Sequence, residues 1–375
     1  MIRRFYIHNF RCLDNFELRL DKMSSVLLIG KNGAGKTTVG RALEVLQRIA
    51  RGVNRVGELV STKDLNLSYK QSGVPVRFEL EVDISSKAFT YVLVLELVDG
   101  FKELRVKEER LVCDEKTLFK RELAQVELSR QGRDVGAKFS IDWHLVALPI
   151  VQPSSTNDPI SIFKEWLANT LILRPVPSQM RGGSEKETLR PDPEVVNFGE
   201  WFTNLLISYP AAYGVIEGYL KEVMPDFQAI KNPQTGRDSR SLFVSFSNNP
   251  NTIELLFEDL SDGEKCFLTY ALVIAANDAY GPLLCFWDEP DNFLAPQEVA
   301  SSIVALRRAF RAKGQLILTS HNIEAMGRFS DENTLVLLRK SHLEPMTARF
   351  VGDFRDKGEL TGDFAGALLR GDLIS

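Results

Sequence analysis

Gly30-Lys31-Asn32-Gly33-Ala34-Gly35-Lys36-Thr37 is the stretch on which the reading of this 375-residue chain turns. Two glycines with four residues between them are followed directly by Lys and Thr, the spacing of a phosphate-binding loop. Before it, Val26-Leu27-Leu28-Ile29 is short, apolar and partly β-branched; after it, Val39, Ala42, Leu43, Leu46, Ile49 and Ala50 share one helical face. The loop therefore joins a buried strand to a helix. Glycine is needed there because backbone N–H groups must curl around phosphate oxygens, an approach that a side chain would block. The helix N-terminus adds its partial positive charge. Lys36 is placed to reach the β- and γ-phosphates, and the Thr37 hydroxyl to ligate Mg²⁺. The plain alternative is a glycine-rich turn before a helix. Ordinary residue usage produces the pattern by accident in on the order of one chain in a hundred of this length, and the flanking strand and helix lower that further.

Composition narrows the setting. With 44% hydrophobic residues the chain can bury a large core, in one elaborated domain or two. No apolar run approaches the roughly 20 residues of a membrane span, and Met1-Ile2-Arg3-Arg4-Phe5 leads into no apolar signal core. The expectation is a cytoplasmic protein that does not engage a membrane. Cys12, Cys113, Cys266 and Cys285 stand singly, without the spacing of zinc sites or disulfide frameworks, and read as reduced structural thiols. A net charge of −4 argues against a general basic coat for nucleic acid.

Along the chain, residues 2–20 alternate as two strands around Arg11-Cys12-Leu13-Asp14-Asn15. From Val76 to Trp143, alternating segments predict an antiparallel meander, with Asp99-Gly100 as a hairpin signal and Glu103, Arg105 and Lys107 on a solvated face. Residues 160–173 read as a helix. The Pro- and Gly-rich stretch 174–193 reads as an irregular, mobile loop. Helices are expected around Phe198–Leu206 and Ile216–Val223, the second stopped by Pro225, with no sustained heptads. Strands resume at 227–230, 241–246 and 252–257.

A second group of motifs follows. Leu260-Ser261-Asp262-Gly263-Glu264 precedes an apolar helix and on its own is an ordinary N-cap. Leu283-Leu284-Cys285-Phe286-Trp287 is a buried strand ending in Asp288-Glu289, and Gln315-Leu316-Ile317-Leu318-Thr319 is another, ending at Ser320-His321. A carboxylate at a strand end can hold the Mg²⁺ shell, the role assigned to Asp288 beside Thr37. Glu289 can orient or deprotonate the attacking water. His321 either contacts the γ-phosphate or that water, or is a capping or satisfied buried histidine; its place after the Asp-Glu strand favours the chemical role.

In this order the motifs resemble the ATP-binding-cassette ATPase superfamily, in the RecF, structural-maintenance-of-chromosomes and overcoming-lysogenization-defect branch. Asn9-Phe10-Arg11 is similar to that branch's N-terminal motif, Gly30 to Thr37 to its Walker A loop, and Leu260 to Glu264 to its signature. Asp288-Glu289 is similar to Walker B with its catalytic glutamate, Asn292 to Ala295 to the D-loop, and His321 to the switch histidine. The resemblance implies an α/β P-loop NTPase of cassette type, with a mainly parallel core sheet, an antiparallel β subdomain and a helical insertion. It divides the chain into an N-terminal ATPase lobe at 1–150, an insertion with return strands at 151–258 and a C-terminal ATPase lobe at 259–375.

What it implies chemically is ATP with Mg²⁺ as ligands. Gly30, Lys31, Asn32, Gly33, Ala34, Gly35, Lys36, Thr37 and Thr38 would cradle the nucleotide together with Arg11. Thr37 and Asp288 would hold the metal; Glu289, His321 and Lys36 would act in hydrolysis. Ser261 and Gly263 of one protomer would meet the γ-phosphate held by the other, so a homodimer would sandwich ATP. The chain departs from the pattern where a Q-loop glutamine is expected, at Val74-Pro75-Val76-Arg77, with Gln71 only nearby. The branch serves DNA repair, chromosome handling and defence against phage or plasmids, so DNA and a separate nuclease or toxin are the partners it implies. Too little chain follows His321 for a nuclease core, and Asp353, Asp356, Glu359, Asp363 and Asp372 read as a solvated tail. Residues 174–193 and 194–224 are the expected partner-facing insertions. Arg307, Arg308, Arg311 and Lys313 read first as a structural cluster near a helix C-terminus, and otherwise as a nucleic-acid surface. A transport nucleotide-binding subunit and a non-catalytic ATP-dependent switch are the rival readings; the long span from Lys36 to Ser261 counts against the first and the intact Glu289 against the second.

Overall fold

The computed structural model describes residues 1–66, 73–129, 136–153, 155–342 and 344–356. Gln71, and Glu359, Asp363 and Asp372 of the acidic tail, lie outside the described residues. The chain forms two compact units interleaved in sequence, one built from residues 1–23, 28–170 and the chain from 331, the other from 24–27 and 171–330.

In the first unit β1 (Ile2–His8) and β2 (Phe16–Arg19) pair antiparallel around the expected polar turn. Next comes β3 (Ser25–Ile29), which starts in the second unit and ends in the first, then α1 (Lys36–Ala50) and the single turn α2 (Val56–Leu59). The meander follows as β4 (Val76–Ile84), β5 (Lys87–Glu96), β6 (Arg105–Cys113), β7 (Lys116–Glu122), β8 (Gln125–Leu128) and β9 (Ala137–Ser140). With β1 and β2 it makes an eight-stranded sheet in the order β2-β1-β4-β5-β6-β7-β8-β9. Period-two patterning explains its faces: Val76, Phe78, Leu80, Val82 and Ile84 of β4 are buried, while Arg77, Glu79, Glu81 and Asp83 are not. Phe163 of α3 (Pro159–Ala168) covers the apolar face, its ring 5.7 Å from Phe89 and 5.6 Å from Tyr91.

One ion pair is sealed beneath that sheet. Glu109 and Arg121 are fully buried and 3.9 Å apart at their nearest charged atoms. Glu109 accepts from Tyr91 Oη at 3.0 Å and from the N–H groups of Ala147 and Leu148 at 2.6 and 2.8 Å. Arg121 donates to the carbonyls of Leu123, Asp142 and Leu145. Burial raises the Glu109 pKa and lowers that of Arg121, each opposed by the other's charge. The network fastens residues 142–148 to the meander.

Two expectations need correction. The helix expected over 160–173 stops at Ala168, and Leu171–Leu173 is a buried strand, β10. A short apolar run does not distinguish the two states; pairing with a parallel neighbour decides it. The stretch 174–193 is irregular, as its prolines require, but well fastened. Arg174 and Val176 N–H groups donate to Pro193 and Glu194 carbonyls at 2.7 and 3.1 Å, Gly182 N–H donates to Glu258 at 2.7 Å, and Met180 is fully buried.

The second unit holds α4 (Phe198–Ser208), α5 (Ala212–Val223) and a three-stranded antiparallel sheet of β11 (Phe227–Lys231), β12 (Phe243–Asn248) and β13 (Asn251–Leu256). Next come α6 (Asp262–Tyr280), β14 (Leu284–Asp288), α7 (Pro296–Ala312), β15 (Gln315–Thr319) and the short α8 (Ile323–Met326). β10, β14 and β15 pair in parallel, with Asp288 opposite Thr319, and the Leu316 N–H donates to Ser24 O at 2.9 Å. Tyr270 of α6 packs on Trp287 of β14, ring centres 4.6 Å apart. The chain then returns to the first unit as β16 (Thr334–Leu338) paired with β17 (Thr347–Phe350) and closed by α9 (Val351–Asp356).

Candidate functional site

The phosphate loop lies in the first unit and is shaped by its backbone. Gly30, Gly33 and Gly35 have φ of 156°, 78° and 110°, and α1 begins at Lys36 with Gly35 as N-cap. At Gly35 a Cβ would meet Cys12 Sγ and Met346 Sδ, each at 2.7 Å, in a conformation that L side chains rarely adopt. No acidic residue sits in the first turn of α1 to offset the helix dipole. Lys31, Asn32, Gly33 and Thr37 are exposed, Gly35 and Thr38 partly so, while Ala34 and Lys36 are buried. The Lys36 ammonium folds back on its own loop, 2.8 Å from Gly30 O and 3.4 Å from Lys31 O. A glycine cradle around a lysine at a helix N-terminus fits a polyphosphate.

Arg11 is held by Asp64, its Nε at 2.8 Å and its Nη2 at 2.7 Å from Oδ1. Burial alone would raise the Asp64 pKa, but hydrogen bonds from Ser61 and Arg11 outweigh it and hold this carboxyl below its ordinary value. Arg11 thus sits with its charge compensated, between the first strands and the 3₁₀ turn at Thr62–Asp64.

The carboxylates lie in the second unit, at the ends of the parallel strands β14 and β15. Thr319 Oγ1 donates to Asp288 Oδ1 at 2.5 Å and accepts from the Glu289 N–H at 2.9 Å. Glu289 has φ of 51°, a left-handed conformation that turns its side chain off the strand. One of its carboxylate oxygens meets His321 Nε2, and the other accepts from Asn292 Nδ2 at 3.0 Å. Beneath them Asp291 is buried and accepts from Ser320 Oγ at 3.0 Å; burial pushes its carboxyl pKa up. Asp288, Glu289 and His321 are thus gathered, as the strand-end reading requires.

The signature turn caps α6 in the same unit. Ser261 Oγ accepts from Glu264 N–H at 3.3 Å, and the Ser261 N–H donates to Glu264 Oε2 at 2.7 Å, a closed capping box. Ser261 is exposed and Gly263 half-buried. A Cβ on Gly263 would come within 3.2 Å of Phe293 O, so the turn lies against the segment following Glu289. Of the basic cluster at the end of α7, Arg307 stacks on the Phe329 ring at 4.3 Å and Lys313 Nζ donates to Asp278 O at 2.6 Å, while Arg308 and Arg311 are exposed.

Sequence reading passed over Thr319, Ser320 and Asp291. Their roles depend on Asp288 facing Thr319, a pairing invisible in either strand alone. It also passed over Arg339, whose Nη1 donates to Gly33 O at 3.5 Å. The four cysteines are buried free thiols. Among the described residues no group of His, Cys, Asp and Glu forms a metal cluster, and no helix is long and apolar enough to cross a membrane.

Fold and motifs together define a P-loop NTPase of cassette type. An SMC head bound to the C-winged helix domain of ScpA is similar in fold, with TM-score 0.54 at 12% identity over 94% of this chain and 99% of that one. So is the Smc head domain with an extended coiled coil bound to the C-terminal domain of ScpA, derived from Pyrococcus furiosus, with TM-score 0.50 at 11% identity over 96% and 98%. Identities this low speak for the fold alone. No curated protein matches the sequence. Residues 25–327 match the family described as "AAA domain, putative AbiEii toxin, Type IV TA system". The chain belongs to that AAA family, and its fold is similar to that of an SMC head.

Proposed function

We propose that this chain binds ATP with Mg²⁺ and hydrolyses it, cycling between a monomer and an ATP-held homodimer in the cytoplasm. The observation that carries the reading is the strand-end cluster, where Asp288, Glu289 and His321 are fixed by Thr319 and Asn292 in a chain that also builds a glycine cradle around Lys36. Gly30 through Thr38 bind the phosphates, with Arg11 on the nucleotide's flank. Thr37 on the loop and Asp288 at its strand end are each suited to ligate Mg²⁺, which would supply positive charge against the phosphates. Glu289 takes the proton of the attacking water, and His321 holds the Glu289 carboxylate in line for it. Ser261 and Gly263, at the accessible N-terminus of α6, complete the site of a second copy.

The ATP cycle, in this proposal, serves a DNA-associated process of repair or defence and acts through a separate effector, a nuclease or toxin. The partner-bound heads among the similar folds support an output delivered through another protein, and the family's toxin–antitoxin description supports a role in defence. Residues 174–193 and 194–224, within an insertion at 151–258 that lies in sequence between ATPase lobes at 1–150 and 259–375, offer the surface for that effector. Phosphate release and molecular mass, each measured with and without ATP and DNA, test the scheme. The parent should release phosphate, and Glu289→Gln should bind ATP, stall and accumulate as a dimer. A stalled variant that stays monomeric would contradict the sandwich, and steep weakening of any DNA binding with salt is expected of phosphate contacts.

A further inference from the structure

The exposed turn of the phosphate loop has a neighbour that the nucleotide-binding reading of the chain does not use. Arg339 follows β16 and is half-buried against the loop. Its guanidinium is anchored by three carbonyls, with Nε 3.0 Å from Glu344 O, Nη2 2.6 Å from His342 O and Nη1 3.5 Å from Gly33 O. Among the described residues no carboxylate pairs with it. That sets it apart from Arg11, whose charge Asp64 compensates at 2.7 Å. His342 stands beside it, its Nε2 3.8 Å from the position a Gly33 Cβ would occupy. Behind both, the Met346 N–H donates to Cys12 O at 3.1 Å and its sulfur walls Gly35. The segment after β16 is therefore fastened to the loop at Gly33 and Gly35.

We propose that Arg339 is a second cationic determinant of nucleotide binding, propping the Gly33 turn while presenting an uncompensated positive charge to the polyphosphate tail. The inference rests on the ATP-binding reading of the loop. A guanidinium has five donors in a rigid fork, and three carbonyls do not use them all. Carbonyls orient it without neutralising it, so its charge is available to an anion held by the adjacent N–H groups. A lysine would keep the charge and lose the fork, which separates the two parts of the role.

ATP titrations of the parent, Arg339→Gln, Arg339→Lys and Lys36→Ala across a range of salt concentrations test this, with melting temperatures taken without nucleotide. Arg339→Gln should bind ATP about tenfold more weakly at low salt, with a shallower salt dependence, since a charge contact is screened. Arg339→Lys should recover the salt dependence and part of the affinity. A merely structural prop would lower the melting temperature of both variants and leave the salt dependence at the parent's value, and that result overturns the inference. So does parental affinity and salt dependence in Arg339→Gln while Lys36→Ala has lost binding; a parent that binds no ATP overturns the loop reading and this inference together.

Discussion

The two halves of the chemistry are held in different ways. Around Gly30–Thr37 the backbone is the device: positive φ at three glycines, a helix N-terminus, and a lysine resting on its own loop's carbonyls. Around Asp288–His321 the device is a chain of side chains, Thr319 to Asp288, His321 and Asn292 to Glu289, and Ser320 to Asp291. A backbone device fails when a Cβ is added. A side-chain device fails by degrees, as single hydrogen bonds are removed, and each loss can be repaired by a side chain that restores the bond.

The largest effect is expected from Lys36→Ala: nucleotide affinity should fall at least about a hundredfold, on the order of 3 kcal/mol, because backbone amides alone hold phosphate weakly. Isothermal titration measures it, and parental affinity would remove the loop from the site. Gly35→Ala should come next, with a stability loss of roughly 1–3 kcal/mol from the strained φ and the sulfur wall, together with weakened binding. Denaturant unfolding checks it; an unchanged midpoint would mean the turn adapts.

Thr319→Val probes the other half. Removing the hydroxyl leaves the Glu289 N–H and Asp288 without that partner, so turnover should drop about tenfold with ATP affinity nearly kept, and Thr319→Ser should restore it. If Ser does not restore turnover, the bond is not what holds the carboxylates. The smallest effect is a pH dependence. Burial raises the folded pKa of Asp291, so its contribution favours folding below the unfolded carboxyl pKa and is lost as pH rises through the folded value. Asp291→Asn should therefore flatten the melting temperature across that window and raise it slightly at neutral pH. A steeper profile in the variant would reverse the assignment.

The contrast also explains what could be read from sequence. The phosphate loop is contiguous, and its glycines, lysine and flanking apolar runs state its geometry within a few turns of chain. The strand-end carboxylates were legible because each closes an apolar run, but Thr319 acts only through its register opposite Asp288. Arg339 reaches Gly33 from far along the chain and carries no local signal. The hairpin between β5 and β6 forms where Asp99-Gly100 signalled it, but the tightest turns of the meander carry no such signal. Tight turns fall at Ser85-Ser86 and Asp114-Glu115, non-glycine residues at positive φ, whereas Asp99-Gly100 lies in a longer connection between strands that end at Glu96 and resume at Arg105. In both turns the paired strands impose the conformation, and residue type follows it only loosely.

In the proposed cycle the backbone-built loop binds the nucleotide and the side-chain cluster turns it over. Bound ATP and released phosphate, measured in the same tube with Mg²⁺ for the parent, Lys36→Ala and Glu289→Gln, test it most directly. The expected result is binding and release by the parent, neither by Lys36→Ala, and binding with release cut about a hundredfold or more by Glu289→Gln. Parental release by Glu289→Gln, or by Lys36→Ala, would contradict it.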